Sequence, residues 1–274
     1  GFLDIESMPK LFAGKKLFWT LHDMNPFTGG CHYAQDCIRY RTGCHDCPQL
    51  GPGPEDIVRA IWNLKLSCYE SLDLTVVTPS RWLGSCSQAS RLLGRFPHRV
   101  IPNGLDLEHY HPVDRSQARQ ALGLPTEAQV VLFGASAIGD YRKGFDLFLD
   151  AIVRLPHLLK GAELILAAFG HSEELGRITT PYKLHHLGHL DDATQLSAAY
   201  SAADVFVVPS REDNLPNTVL ESLACGTPIV GFDIGGLPDM ISHRKTGYLA
   251  PFPNVNELAE GIAWVQSQRG GLRS

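Results

Sequence analysis

No run of apolar residues in this 274-residue chain approaches the ~20 that a membrane-spanning helix needs, which excludes a span of that kind. The fingerprint G-x-G-x-x-G is missing too. "FGASAIG" does not match it, which argues against a dinucleotide oxidoreductase. No Walker A pattern occurs, nor any internal repeat or low-complexity tract. There is no basic excess: the net charge is −5, which argues against a general nucleic-acid binder. The start, "GFLDIESMPKLFAGKK", lacks the basic-then-apolar order of a secretory signal. It opens on Gly rather than Met and runs quickly into a strand-like segment, so the chain reads as a fragment without its natural beginning. The end, "QSQRGGLRS", reads like a cut as well. Seven cysteines, an odd count, beside 44% apolar residues do not read as a secreted disulfide scaffold. The expected compartment is the cytoplasm.

What is present falls into two parts. From residue 129 the pattern is regular. Short apolar runs ("QVVLFGAS", "AELILAAFG", "YKLHHLGHL", "DVFVVPS", "TPIVGFD", "TGYLAPF") read as strands. "GFDLFLDAIVRL", "DATQLSAAYSAA", "NTVLESLACG" and "NVNELAEGIAWVQSQ" read as helices, with Phe145, Phe148, Leu149 and Ile152 on one face. Such alternation predicts a mostly parallel sheet covered by helices, with ligands at the carboxyl ends of its strands. Before residue 105 come strands at "KLFWTLHD", "LTVVTPS" and "HRVIPNG", helices near 54–72 and at "RWLGSCSQASRLLG", and a Cys-rich loop over 25–53. That is too few strands for a complete sheet of this kind. The turn-rich stretch 103–114 places the junction between a first domain, 1–104, and a second, 105–274. The first carries a charge of about +2 and the second −7, which fits different partners or merely two solvated surfaces.

Chemistry concentrates in "REDNLPNTVLES", residues 211–222. It follows a strand, and Pro216 suits the first turn of a helix. The backbone N–H groups of Asn217 and Thr218 at the helix start, with the helix dipole, suit an anion such as phosphate. Asp213 before them and Glu221 a turn inside suit hydroxyls, since a carboxylate accepts hydrogen bonds from a vicinal diol. Phosphate flanked by hydroxyls describes a nucleotide-sugar. The competing reading makes Asp213 a cap and Glu221 a surface residue. In "GDYRKGFDLF", Arg142 and Lys143 precede a helix whose dipole does not favour them, which points to an anionic partner such as a diphosphate, or else to two solvated charges. His22, at the end of a strand, can hydrogen-bond a sugar or handle a proton, or be structural.

"VTPSRWLGSCSQAS", "VIPNGLDLEHYHP", "RKGFDLFLDAI", "LGHLDDATQLSAAYSAADVFVVPS" and "EDNLPNTVLESLACGTPIVGFDIGGLPDMI" follow in order. Together they resemble a family 4 retaining glycosyltransferase, an α/β protein of two facing Rossmann-like domains (the GT-B fold), here with the first incomplete. The resemblance implies transfer of a sugar from a nucleotide-sugar donor to a glycan or lipid-linked acceptor, with retention of configuration. The donor would bind the second domain and the acceptor the first. Asp213, on the first acid of the family's Glu-x7-Glu motif, would contact the sugar, and Glu221 the ribose. The backbone of Asn214 and Leu215 would face the sugar, and that of Asn217 and Thr218 the distal phosphate. Lys143 and His22 fall on the family's phosphate-loop Lys and active-site His. Three departures stand out. The first acid is Asp, with Glu212 beside it, so which one reaches the sugar is open. Ala135 replaces a phosphate-binding Arg that Arg142 would substitute for. The family's first strands and glycine-rich loop are not in this sequence. Catalysis would be electrostatic and need no metal, with domain closure excluding water. A lipid-linked acceptor leaves room for peripheral contact at the inner face of a membrane. The alternatives are a non-catalytic nucleotide-sugar binding module, a sugar-nucleotide epimerase, and a zinc-dependent binding protein.

The last alternative arises from Cys31, Cys37, Cys44 and Cys47, spaced C-x5-C-x6-C-x2-C with His32 and His45 nearby. Only the final pair has a spacing typical of zinc ligands. Structural zinc, two disulfides or ordinary reduced thiols are all compatible with the loop.

Overall fold

The computed structural model of the chain describes residues 4–51, 55–159, 163–171 and 179–268. It divides into two compact units, one running through Asn103 and the other starting at Gly104.

The first unit opens with a short helix α1 (Met8–Leu11), which the sequence reading did not anticipate. A parallel three-stranded sheet follows, ordered β1 (Lys16–Thr20), β2 (Asp73–Thr78), β3 (His98–Val100). Helix α2 (Glu55–Tyr69) links β1 to β2, and α3 (Arg81–Gln88) links β2 to β3. Central β2 is buried at five of its six positions, the continuous apolar run expected of a strand covered on both faces. The Ser80 side chain accepts a hydrogen bond from the Leu83 N–H and so caps α3. The helix expected over 81–94 stops at Gln88. The Ser90 side chain then accepts from Leu93 N–H, so a local turn competes with the helix for the backbone. Residues 25–51 contain two short 3-10 turns and no other helix or strand.

The second unit begins with α4 (Arg115–Ala121), too short and polar to show in the apolar pattern and capped by Asp114. Its parallel sheet is ordered β6 (Lys183–His186), β5 (Leu164–His171), β4 (Gln129–Ala137), β7 (Val205–Val208), β8 (Ile229–Phe232), β9 (Gly247–Ala250). Helices α5 (Phe145–Ile152), α6 (Leu155–Leu158), α7 (Ala193–Ala202), α8 (Asn217–Ala224), α9 (Leu237–Met240) and α10 (Val255–Ser267) cover it. Strand β4 divides the core. Val131 and Phe133 enter a cluster with Phe148, Ile152 and Ile262; Val130 and Leu132 enter another with Tyr200, Phe206 and Val219. Phe145 and Leu149 pack half-buried against the first cluster, so the four-residue face of α5 is the one that meets the sheet. Chain order reverses beside β4, which pairs with β5 on one side and β7 on the other. The crevice outside the carboxyl ends of β4 and β7 is therefore the topological switch point, where open α/β sheets bind ligands.

Candidate functional site

Two loops meet at that switch point. One follows β4 and carries Arg142 and Lys143 in a 3-10 turn capped by Asp140, whose carboxylate accepts from the Arg142 N–H. The other follows β7 and carries Ser210 to Pro216. Glycine lets them touch. Gly144 has φ +69°, and a Cβ there would stand 2.1 Å from the carbonyl oxygen of Pro209. Gly235 does the same from the far side: φ is +53°, and a Cβ would lie 1.9 Å from the Asp213 carbonyl. The next residue, Gly236, donates its N–H to that carbonyl at 3.0 Å.

Asp213 is the centre of the cluster. It is 5% exposed. Lys143 Nζ donates to its Oδ2 at 2.7 Å, Ser210 Oγ donates to the same oxygen at 3.2 Å, and an Arg142 nitrogen stands 3.4 Å from Oδ1. Arg142 also donates to the Glu212 carbonyl at 3.1 Å and pairs with Asp140 at 3.4 Å. The sequence reading expected the two cations to await an external anion; in the structure they are engaged with the acid that begins the motif. Burial explains this. A carboxylate withdrawn from water needs a counter-charge and hydrogen bonds, and these cations are within reach. A lysine ammonium has three donors, so the Asp213 contact leaves two for other acceptors. Of the neighbouring acids, Asp213 joins the cluster with its side chain, whereas half-buried Glu212 accepts from Arg142 with its backbone. Ala135, the departure from the expected arginine, is 3% exposed inside the core, where a cation would be costly.

Pro216 sits one position earlier than expected. It is the N-cap of α8 (φ −66°, ψ 122°), and no side chain caps this end. Its carbonyl accepts from the Val219 N–H. The helix thus opens at Asn217 and Thr218, exposed and half-buried, with a positive dipole end toward the loop. Asn214 and Leu215 are buried side chains, at 4% and 8% exposure, that anchor the loop. Glu221, one turn into α8, is half-buried and accepts a hydrogen bond from Tyr200 Oη at 2.8 Å. Burial pushes its carboxyl above the ordinary range, against the opposing effect of the Tyr200 bond. Tyr200, buried among Phe169 and Phe206, is itself pushed well up by burial and by the Glu221 charge.

Sequence reasoning passed over three residues here. Tyr200 and Ser210 carried no signal beyond the helix and the strand end that hold them. Arg211 lies inside the quoted motif. Its guanidinium makes two bonds to Asp146, at 2.8 and 2.5 Å, and lies 3.9 Å from the centre of the Tyr141 ring; its N–H donates to the Arg142 carbonyl at 2.8 Å. It staples the β7 loop to the turn that carries both cations, and it holds the Asp146 carboxyl below the usual range. The reading missed it because an Arg beside two acids looks like local charge balance, whereas Asp146 is 65 residues away.

His22 lies in the first unit, two residues beyond the end of β1, and is exposed. The same unit holds Cys31, Cys37, Cys44 and Cys47, which line one cavity of about 250 Å³. Among the described residues, no helix is long and apolar enough to cross a membrane.

The chain spans about half, or less, of the length of the curated relatives it matches. It is 30% identical over 234 residues to D-inositol 3-phosphate glycosyltransferase 2 of Catenulispora acidiphila, covering 78% of this chain and 52% of that one. It is 31% identical over 230 residues to D-inositol 3-phosphate glycosyltransferase of Mycobacterium tuberculosis strain H37Ra, covering 77% and 44%. Among solved structures, the sucrose-phosphate synthase of Thermosynechococcus elongatus aligns with a TM-score of 0.68 at 23% identity, over 92% of this chain and 59% of that one. Anabaena HepE in complex with UDP aligns at 0.67 and 21%, over 96% and 65%. These likenesses show the fold, α/β with Rossmann-like units of parallel sheet. The family described as glycosyl transferases group 1 matches residues 128–268, a stretch that contains both loops of the switch-point cluster and the whole of α8, and the chain belongs to that family.

Proposed function

We propose that this chain is the donor-binding part, with a portion of the acceptor side, of a family 4 retaining glycosyltransferase. It would move a sugar from a nucleotide-sugar to a glycan or lipid-linked acceptor. The observation that carries this reading is the switch-point cluster: Lys143, Arg142 and Asp213 beside the uncapped start of α8, with Glu221 one turn beyond. The chemical difficulty in such a transfer is the departing nucleoside diphosphate. Its growing charge falls to the two cations and the helix start, which are already ordered and so cost no reorganisation at the moment of reaction. Asp213 serves the donor sugar while fixing Lys143, and Glu221 serves the ribose through the acceptor capacity that Tyr200 does not use. The electrostatics require no added divalent ion. His22 is assigned to the sugar by resemblance alone.

Two kinds of named protein support the choice of ligand. HepE is described in complex with UDP, with UDP-glucose, and with UDP and glucose. The curated relatives are named for a phosphorylated cyclitol, D-inositol 3-phosphate, which supports a hydroxyl acceptor. The test is a thermal-shift screen of this chain against UDP-, GDP-, ADP- and CMP-sugars, then turnover with and without acceptor and without added metal in the full-length protein. A ligand at 100 times its dissociation constant adds about 2.7 kcal/mol of stability. The expected result is a shift with one nucleotide class and sugar transfer that depends on acceptor. Conversion of donor without acceptor would make it an epimerase, and binding without turnover a binding module; either outcome overturns the reading.

A further inference from the structure

The loop of the first unit has a role that donor chemistry does not explain. Cys31, Cys37, Cys44 and Cys47 lie within 17 residues, in a stretch with only short 3-10 turns. All four line the same cavity, together with Val58 and Ile61 of α2. Among the described residues, no disulfide joins any of the seven cysteines. The turn that brings the last two together has a left-handed residue, Asp46 at φ +44°, between Cys44 and Cys47. The Gly29 N–H donates to Cys44 Sγ at 3.2 Å, which fixes that side chain against the loop backbone. A cation stands behind the loop: Lys65, 2% exposed, donates to the carbonyls of Asn25 at 2.5 Å and Thr28 at 3.0 Å.

We infer that Cys31, Cys37, Cys44 and Cys47 form a four-thiolate structural zinc site that orders the 28–50 loop. Four sulfur ligands satisfy tetrahedral Zn²⁺ completely, which suits a structural rather than a catalytic ion. The physical need is plain. A long irregular segment has little regular hydrogen bonding to offset its ordering entropy, and a metal that binds only the folded loop supplies that free energy. The four cysteines share the lining of one cavity, yet among the described residues no three His, Cys, Asp or Glu side chains are arranged to hold a metal. Binding therefore requires an inward movement. Zn–S bonds of about 2.3 Å place the sulfurs about 3.8 Å apart, and one cysteine χ1 change between staggered wells moves a sulfur by about 3 Å. Binding releases the thiol protons to solvent and changes no oxidation state. His45 also lines the cavity, with Nδ1 held by Asp46 at 2.6 Å, but four thiolates leave it no coordination position.

The experiment is metal analysis of the whole chain, purified without chelator under reducing conditions, together with Co²⁺ substitution. The expected result is about one zinc per chain and a cobalt spectrum with thiolate charge-transfer bands and tetrahedral visible bands. Cys44→Ser and Cys37→Ser should each lose more than the ~10–100-fold in zinc affinity typical of an outer-shell partner. Cys86→Ser and His45→Ala should keep the metal. The cobalt spectrum of the unmutated chain is a readout that does not depend on whether a cysteine variant folds. Chain without stoichiometric zinc, disulfides within the cluster by mass mapping, a cobalt spectrum lacking thiolate bands, or loss of zinc in His45→Ala would each overturn the assignment.

Discussion

Asp213 and Lys143 form a pair in which stability and the proposed ligand chemistry depend on the same contact. Their 2.7 Å bond joins residues 70 apart at the mouth of the sheet. Lys143→Ala should weaken a nucleoside diphosphate by roughly 10–100-fold, the worth of a charge-assisted hydrogen bond, and leave the nucleoside nearly unaffected. It should also destabilise the unliganded chain, because a buried carboxylate loses its nearest counter-charge. Adding Asp213→Asn should recover part of that stability without recovering diphosphate affinity. Titration calorimetry and denaturant unfolding of the parent and both variants check this; equal losses for nucleoside and diphosphate would sink the phosphate assignment.

Glu221 makes a complementary prediction. Burial raises its folded-state carboxyl pKa above the unfolded value. Its contribution to stability is then fully present below the unfolded pKa and is lost as pH rises through the raised folded one. Glu221→Gln removes that titration. Without ligand, the variant should lose less stability than the parent as pH rises across this range. It should nonetheless bind the ribonucleotide roughly one to two orders of magnitude more weakly, and the 2′-deoxy analogue with a smaller loss. Melting curves across pH, paired with calorimetry, separate the two effects. A variant that binds all nucleotides as the parent does would return Glu221 to a purely structural role.

At the scale of elements, α4 is tied to the sheet by a buried ionic network. Arg119 is 2% exposed and Asp204 5%. The Arg119 guanidinium meets Asp204 at 2.8 Å and the carbonyls of Ala202 and Ala128 at 2.9 Å each. Asp204 also accepts from Val130 N–H at 2.8 Å and from Arg115 at 2.7 Å. One side-chain set thus joins α4, the start of β4 and the turn between α7 and β7. Removing Arg119 takes the buried one of two cations from Asp204, leaving it the half-buried Arg115, and strips the Ala202 and Ala128 carbonyls of a donor. Arg119→Met should cost about 3–5 kcal/mol, lowering the melting temperature by roughly 6–20 °C. A calorimetric scan reads this directly, and a shift of a degree or less would contradict the network's role. Nothing in the apolar pattern hinted at it: an Arg in a short polar helix reads as solvated until its acid arrives from 85 positions away.

For the whole molecule, the relevant prediction concerns His22. It belongs to the unit that ends at Asn103, whereas the cluster proposed to hold the diphosphate belongs to the unit that starts at Gly104. His22→Ala should leave UDP affinity nearly unchanged and reduce turnover of the full-length protein by roughly 100-fold, the low side of what a positioned acid–base side chain contributes. Unchanged turnover with acceptor present would make His22 structural.

The strands and most of the long helices were legible locally. The face of α5, the buried strands β4, β5, β7 and β8, and the opening of α8 follow from periodicities and turn residues that act over a few positions. The short polar helix α4 and the early stop of α3 were not legible, because capping side chains decide them rather than an apolar stripe. The residue types at the site were also readable, two acids bracketing a helix start after a strand. Their partners were not. Whether Arg142 and Lys143 awaited a ligand or met Asp213, and whether Glu221 faced open water or Tyr200, depended on β4 lying beside β7 and α7 packing near α8. Strand order is a property of the folded sheet, set by burial summed over the whole unit. That is why only the tertiary structure could decide which charges share the crevice.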